Sequence, residues 1–153
     1  MKSKFPFPFI GAGLLSLPLL LAAAQPSPVP KITIYTTKAY QVELQSNDNA
    51  TRYYLDHALQ LEDQFTRHFS DNPDEAEKQA HALFNSPDWQ QQEAQLKQAY
   101  EGVISGWQNG IKKVPAILFQ ADGVPDSVIY GVTELTQAKQ YWLTWLQQHI
   151  DNP

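Results

Sequence analysis

The chain contains no cysteine, and this absence constrains its fold more than any other feature of the sequence. Without a thiol there is no disulfide, no thiolate nucleophile, no cysteine-ligated zinc and no CxxC redox pair. The fold must therefore be held together by packing alone, and 153 residues is the length of one ordinary domain. The net charge of −5 argues against direct nucleic-acid binding, which needs clustered positive charge.

Residues 1–24 are typical of a cleaved secretory signal peptide. Lys2 and Lys4 supply the positive start, an apolar run follows over residues 5–21, and the small residues Ala22 to Ala24 close it. A transmembrane anchor is the alternative, but the run is short for the roughly 20 residues that span a bilayer, and prolines interrupt it. We expect cleavage after Ala24, export to the periplasm and no membrane span in the mature chain.

The remaining sequence divides into a proline-rich leader over residues 25–30 and a single domain over residues 31–153. The β-branched and aromatic run Lys31 to Thr37 predicts a first strand, and Tyr40 to Leu44 gives a weaker signal for a second. Three stretches then show helical periodicity, residues 50–69, the segment after Asn72-Pro73, and residues 89–108. Whether the chain breaks or only kinks at Ser86-Pro87 stays open.

The C-terminal part predicts a strand hairpin followed by a helix. Ala116 to Phe119 is a short apolar run, residues 122–126 have turn composition, and residues 127–131 form a second strand. The final helix begins at Thr133 or Thr136. Strands at both ends of a helical middle indicate a small α/β sandwich.

No combination of side chains indicates catalysis. The four histidines have no ligand spacing, which favours exposed helical side chains over a metal site. No GxSxG, phosphate-loop or HExxH motif occurs, so we expect no enzyme, no catalytic residues, no cofactor and no metal. The spacing of Tyr100 and Trp107, and of Trp142 and Trp145, predicts that these aromatic rings lie in the core.

Pro115 is the residue that stands out, because it lies between a helix stop at Asn109-Gly110 and a buried strand. A proline there either begins the strand or follows a cis peptide bond. The segment Lys113 to Phe119, a turn, Val128 to Gly131 and a terminal helix resemble the C-terminal half of thioredoxin-like folds, in which a cis-proline loop precedes a hairpin and a closing helix.

Most of the mature chain, and most closely residues 100–131, also resembles a family of small exported proteins encoded in integrating conjugative elements, beside genes for type IV secretion. The similarity rests on Tyr100 to Val103, Trp107, Gly110-Ile111, Lys113 to Ala116 and Val128 to Gly131, and the end of the first strand fits as well. The resemblance implies a thioredoxin-like sandwich, with a short central sheet flanked by helices. A long helical insert lies between the strand-one region and the C-terminal hairpin.

The resemblance further implies a periplasmic, non-enzymatic component or assembly factor of a conjugative transfer apparatus, whose partners are other transfer proteins. Where a redox thioredoxin has CxxC after strand one, this chain has Thr36-Thr37-Lys38-Ala39, so thiol exchange is excluded. The alternative is a thioredoxin-fold partner in disulfide handling, or a chaperone.

The groove that the resemblance implies is formed by main chain next to the proline. We expect a peptide or partner segment to lie against Thr36, Thr37, Tyr40, Val114 and Pro115, with main-chain hydrogen bonds from Val114. The alternative is that Pro115 only shapes a packed loop.

Overall fold

The computed structural model describes residues 28–150, so the predicted signal peptide and the first part of the leader lie outside the described residues. The elements in chain order are β1 (Lys31–Thr36), β2 (Ala50–Tyr54), α1 (His57–Thr66), α2 (Pro73–Phe84), α3 (Trp89–Gln108), β3 (Ala116–Ala121), β4 (Val124–Tyr130) and α4 (Leu135–Ile150). The fold is mixed α/β, as the sequence predicts.

The strands form one open sheet with the order β2-β1-β3-β4. Strands β1 and β2 are parallel, whereas β1 pairs with β3, and β3 with β4, in antiparallel fashion. The predicted hairpin is confirmed, and Gly123 takes a φ of 75° in its turn. That left-handed conformation is one that glycine adopts without steric cost.

Successive side chains of β1 point to opposite faces of the sheet, so the core is divided between the two faces. Ile32 and Ile34 face α4, where Phe119 stacks on Trp142 with ring centroids 5.5 Å apart. Trp142 is buried, as its spacing predicts, and Trp145 is half-buried. This face holds the larger of the hydrophobic clusters.

The opposite face is packed around Tyr35, whose ring stacks on Tyr53 of β2 at a centroid distance of 5.8 Å. Helix α3 approaches this pair through Gly102 and Gly106. A Cβ atom built on Gly102 would lie 2.9 Å from the Cβ of Tyr53, so the close approach requires glycine there. The Tyr35 hydroxyl completes the contact with a 2.7 Å hydrogen bond to the Ser105 hydroxyl.

The sequence-based prediction is wrong between residues 37 and 56. Residues 50–54 were expected to begin a helix, but they form β2, and α1 begins only at His57. The weaker strand predicted over Tyr40 to Leu44 is a loop that crosses from β1 to β2. It buries Val42 against the α4 face and makes one bridge, between Glu43 and Glu134.

The chain breaks at Ser86-Pro87, because α2 ends at Phe84 and α3 begins at Trp89. The start of α2 is capped as expected, with the Asn72 side chain accepting the backbone N–H of Asp74 at 3.0 Å. Asp88 occupies the N-cap position of α3, and its side chain makes no capping hydrogen bond. Among the described helices, none combines the length and apolar character that crossing a membrane requires.

Candidate functional site

The residues that the sequence singled out meet at one end of the sheet, where β1 ends and β3 begins. In the antiparallel register Tyr35 pairs with Ala116. Thr36 and Thr37 follow Tyr35, and Val114 and Pro115 precede Ala116, so these four residues lie at the same end of the sheet. We refer to Thr36, Thr37, Tyr40, Val114 and Pro115 as the strand-end groove.

Val114 has main-chain groups that the sheet does not use. Within residues 28–150, neither its N–H nor its C=O forms a hydrogen bond. The next residue differs, because the carbonyl of Pro115 accepts the N–H of Gly131 at 2.9 Å. The Val114–Pro115 peptide bond is cis. The Val114 side chain packs against the cluster around Tyr35, and its backbone lies just before the start of β3.

The other wall of the groove is a tight turn after β1. The Tyr40 N–H donates to the carbonyl of Thr37 at 3.1 Å, and the Thr36 hydroxyl donates to the carbonyl of Tyr40. The Thr37 hydroxyl is shielded from solvent and has no hydrogen-bond partner in the described part of the chain. The Tyr40 side chain is 53% exposed, so it adds an aromatic surface to the groove.

Charged groups surround the groove unevenly. Lys38 follows Thr37, and Lys112 and Lys113 precede Val114; all three side chains are exposed. The Lys113 ammonium lies 5.3 Å from the centroid of the Tyr130 ring, a distance that allows a cation–π interaction. An acidic side chain lies on the β1 side of the groove, where the Asp56 carboxylate accepts the backbone N–H of Lys38 at 3.2 Å.

A cavity of about 640 Å³ lies beside β2 and is lined by residues of β2, α1 and α3. It collects Arg52, His57 and Glu101, three residue types that occur in catalytic sites. The Arg52 guanidinium is already committed, because it donates to the carbonyl of Val42 at 2.7 Å and to the Tyr54 hydroxyl at 3.2 Å. This cavity shows no hydrogen-bonded pair of the kind that transfers protons.

Two ionisable groups with displaced pKa values lie away from the strand-end groove. The hydrogen bond from Lys139, followed by the one from the Gln45 amide, lowers the pKa of Asp48. The hydrogen bond to Glu62 raises the pKa of Tyr100. The Asp48–Lys139 pair joins the loop before β2 to α4, and the Glu62–Tyr100 pair joins α1 to α3. Both pairs therefore have a structural role.

Metal-binding residues do not converge in the part of the chain that the structure describes. Over residues 28–149, no three histidine or acidic side chains lie close enough to hold an ion. The four histidine side chains are all exposed: His57, His68, His81 and His149. Their positions agree with the interpretation of these residues as solvated surface.

The prediction that Tyr100 and Trp107 lie in the core is wrong, because both side chains are exposed and Trp107 is 81% exposed. Helical spacing identifies an apolar stripe but does not say which side of the helix meets the sheet. Gly102 and Gly106 carry that information, since only their side of α3 permits the approach of Tyr53 and Tyr35. The stripe Tyr100, Val103, Ile104 and Trp107 therefore faces solvent.

A family model for a protein of unknown function, DUF1525, matches residues 29–148. The chain belongs to the DUF1525 family. The match begins just before β1 and ends within α4, so it covers the sheet, the helices and the strand-end groove. Searches of curated proteins and of solved structures find no significant match.

Proposed function

We propose that this DUF1525 protein is a periplasmic, non-enzymatic component or assembly factor of the conjugative transfer apparatus of an integrating conjugative element. It acts by binding an extended segment of a partner protein in the strand-end groove. The observation that carries the proposal is the main chain of Val114, whose N–H and C=O both lack partners in the described residues at the point where the sheet ladder stops.

The arrangement around Val114 supports a thioredoxin-like fold that lacks the redox pair. A cis bond precedes Pro115, the β3–β4 hairpin follows, and α4 closes the domain against the sheet. The sequence Thr36-Thr37-Lys38-Ala39 takes the place of a CxxC pair. Binding without thiol chemistry is the activity that such a scaffold retains.

Strand addition explains how the groove recognises a partner. An extended segment supplies its own N–H and C=O groups, and main-chain hydrogen bonds provide affinity without side-chain chemistry. Because a typical hydrogen bond contributes about 0.5–1.5 kcal/mol net, a pair at Val114 gives weak binding by itself. The exposed Tyr40 ring is available to contribute the rest.

Substitution at Val114 tests the groove in a mating assay. A Val114→Asp variant places a carboxylate beside the binding backbone, and we expect it to weaken partner binding about tenfold, equivalent to about 1.4 kcal/mol, and so to lower the transfer frequency. The control is Val103→Asp, the same substitution on the exposed side of α3, and cells with this variant should transfer at the normal frequency. A folded Val114→Asp protein that supports wild-type transfer contradicts the proposal.

Photo-crosslinking gives a second test that does not depend on the folding of the Val114 variant. Tyr40 and Tyr141 are exposed to nearly the same extent, 53% and 51%, but Tyr141 lies on α4. A photoreactive amino acid at position 40 should form adducts with transfer-apparatus proteins in donor cells, whereas position 141 should not. Equal adducts at both positions, or none at position 40, contradict a partner at the groove.

A chaperone that masks hydrophobic segments is the second candidate. The exposed stripe on α3, which includes Ile104 and the 81% exposed Trp107, favours it. In this case the purified protein should suppress aggregation of an unfolded client, and Trp107→Ser should weaken the suppression while Val114→Asp leaves it unchanged. The opposite pattern would assign client binding to the groove.

A further inference from the structure

We propose that the strand-end groove selects acidic segments, an inference that rests on the proposed binding function and adds the chemistry of the ligand. The starting observation is a local concentration of positive charge. Lys38, Lys112 and Lys113 border the groove, in a chain that has 11 basic residues against 16 acidic ones. We call these three side chains the lysine rim.

The register of the sheet explains why the lysine rim forms although Lys38 is distant from the other two in sequence. Tyr35 pairs with Ala116, so the turn that holds Lys38 after β1 and the segment that holds Lys112 and Lys113 before β3 leave the sheet at the same end. The lysine rim is therefore formed by two chain segments, one on the β1 side of the groove and one on the β3 side.

The charges of the lysine rim are not neutralised within the described residues. Over residues 28–149, no carboxylate oxygen lies within 4.0 Å of the Nζ atoms of the rim. Other lysines of the same chain do pair, Lys78 with Glu75 at 3.0 Å and Lys97 with Glu93 at 2.8 Å. The rim thus has charge available for a ligand.

One acidic side chain lies beside the lysine rim. The Asp56 carboxylate accepts the Lys38 backbone N–H at 3.2 Å and the Gln60 side-chain amide at 2.8 Å, and these neutral donors leave its charge in place next to Lys38. The Lys113 ammonium lies over the Tyr130 ring instead, 5.3 Å from its centroid. The positive charge of the rim is therefore concentrated on the side that Lys112 and Lys113 border.

Charge complementarity of this kind favours acidic over neutral or basic segments. Exposed charges interact over about 8–10 Å at moderate ionic strength, so salt weakens the preference. Like charges in the ligand would be repelled, which adds discrimination. The main chain of Val114 supplies the hydrogen bonds, and the lysine rim selects the sequence.

Three labelled peptides of about nine residues, the length of a long strand, test this selection by fluorescence anisotropy with the mature chain. Valine alternates with glutamate in the first, with threonine in the second and with lysine in the third, and all ends are blocked. We expect the glutamate peptide to bind about tenfold more tightly than the threonine peptide, and the lysine peptide most weakly. Raising the salt concentration should reduce the difference between the glutamate and threonine peptides.

Matched variants assign the preference to the lysine rim. The double variant Lys112→Gln with Lys113→Gln should lose the preference for glutamate but keep its affinity for the threonine peptide. Lys78→Gln with Lys97→Gln removes the same charge elsewhere and should keep the preference.

The possible results separate the two proposals. If all three peptides bind equally, or if the rim variant keeps the glutamate preference, the selection of acidic segments is wrong while strand addition stands. If none of the peptides binds, both proposals are overturned. The salt dependence of the wild-type protein decides the question even if the rim variant is poorly folded, because a salt-independent preference contradicts the electrostatic mechanism.

Discussion

The sheet with α4 and the helical insert over residues 57–108 bury their apolar side chains to different extents. Helix α4 presses Trp142 and Leu146 into the cluster around Ile34 and Phe119, all of them almost fully buried. In the insert, α2 has no buried residue, and large apolar side chains stay exposed, among them Leu59, Phe84, Ile104 and Trp107. The stability of the domain therefore resides in the sheet and α4.

The same contrast separates the rigid part of the molecule from the part that exposes apolar surface. The strand-end groove is built on the buried strands β1 and β3, so its geometry is set by the most stable part of the fold. The insert is attached mainly where α3 meets β2 and where α1 meets α3. Few buried contacts mean low local unfolding free energy, so we expect the insert to open before the sheet does.

The largest expected effect on stability comes from truncating a buried side chain on the α4 face of the core. Trp142→Ala removes a buried ring that stacks on Phe119, and we expect a loss of about 3–5 kcal/mol in the free energy of unfolding. The same truncation at exposed Trp107 should change it by no more than about 0.5 kcal/mol. Urea denaturation measures both, and similar losses in the two variants would abolish the contrast.

The next effect concerns the contact that joins the insert to the sheet. Gly102→Ala brings a methyl group against the Tyr53 ring, so we expect a loss of about 1–3 kcal/mol despite the better helix propensity of alanine. Gly106→Ala is the control, because its Cβ would lie an ordinary 3.5 Å from Tyr35. That variant should be neutral or gain up to about 1 kcal/mol, and thermal unfolding distinguishes the two. A stabilised Gly102→Ala protein would show that α3 does not approach as closely as described.

A smaller effect is expected at the start of α2, where the Asn72 side chain caps the helix. Asn72→Ala should cost about 1 kcal/mol of helix stability. Because α2 has no buried residue, this loss should appear as faster amide exchange within residues 73–84 and hardly in global unfolding. A matching loss of global stability would mean that the insert and the sheet unfold as one unit.

The smallest effect should depend on pH. The pKa of Asp48 is lowered in the folded protein, chiefly by the hydrogen bond from Lys139, so its carboxylate stabilises the fold fully above the ordinary carboxyl pKa of about 4. That contribution is lost as the pH falls through the lowered pKa. Asp48→Asn should therefore be less stable than the wild type at neutral pH, and the difference should shrink in acid. A difference that stays constant between neutral and acidic pH would exclude the carboxylate as its cause.

The elements that the sequence predicts correctly are those bounded by strong local signals. Asn72-Pro73 begins α2, Asn109-Gly110 ends α3, and Gly123 turns the hairpin. Strand β2 could not be predicted in this way, because its residues also fit a helical period and only pairing with β1 decides between the two. Pairing of that kind is non-local, and local patterns do not record it.

The candidate site shows the same division between local and non-local information. Resemblance points to Val114 and Thr37, but the lysine rim becomes visible only when the pairing of β1 with β3 brings Lys38 and Lys113 to the same end of the sheet. The direction in which Trp107 points depends on which face of α3 the sheet accepts. In each case the missing information is the arrangement of elements in three dimensions.

The central claim is that a partner segment forms main-chain hydrogen bonds with Val114. Amide exchange measured by nuclear magnetic resonance on the labelled mature protein, with and without the glutamate peptide, tests it directly. The account predicts that the exchange of the Val114 amide slows when the peptide binds, while amides of the exposed α3 stripe are unaffected. Peptide binding that protects α3 and leaves the Val114 amide unchanged would contradict the claim.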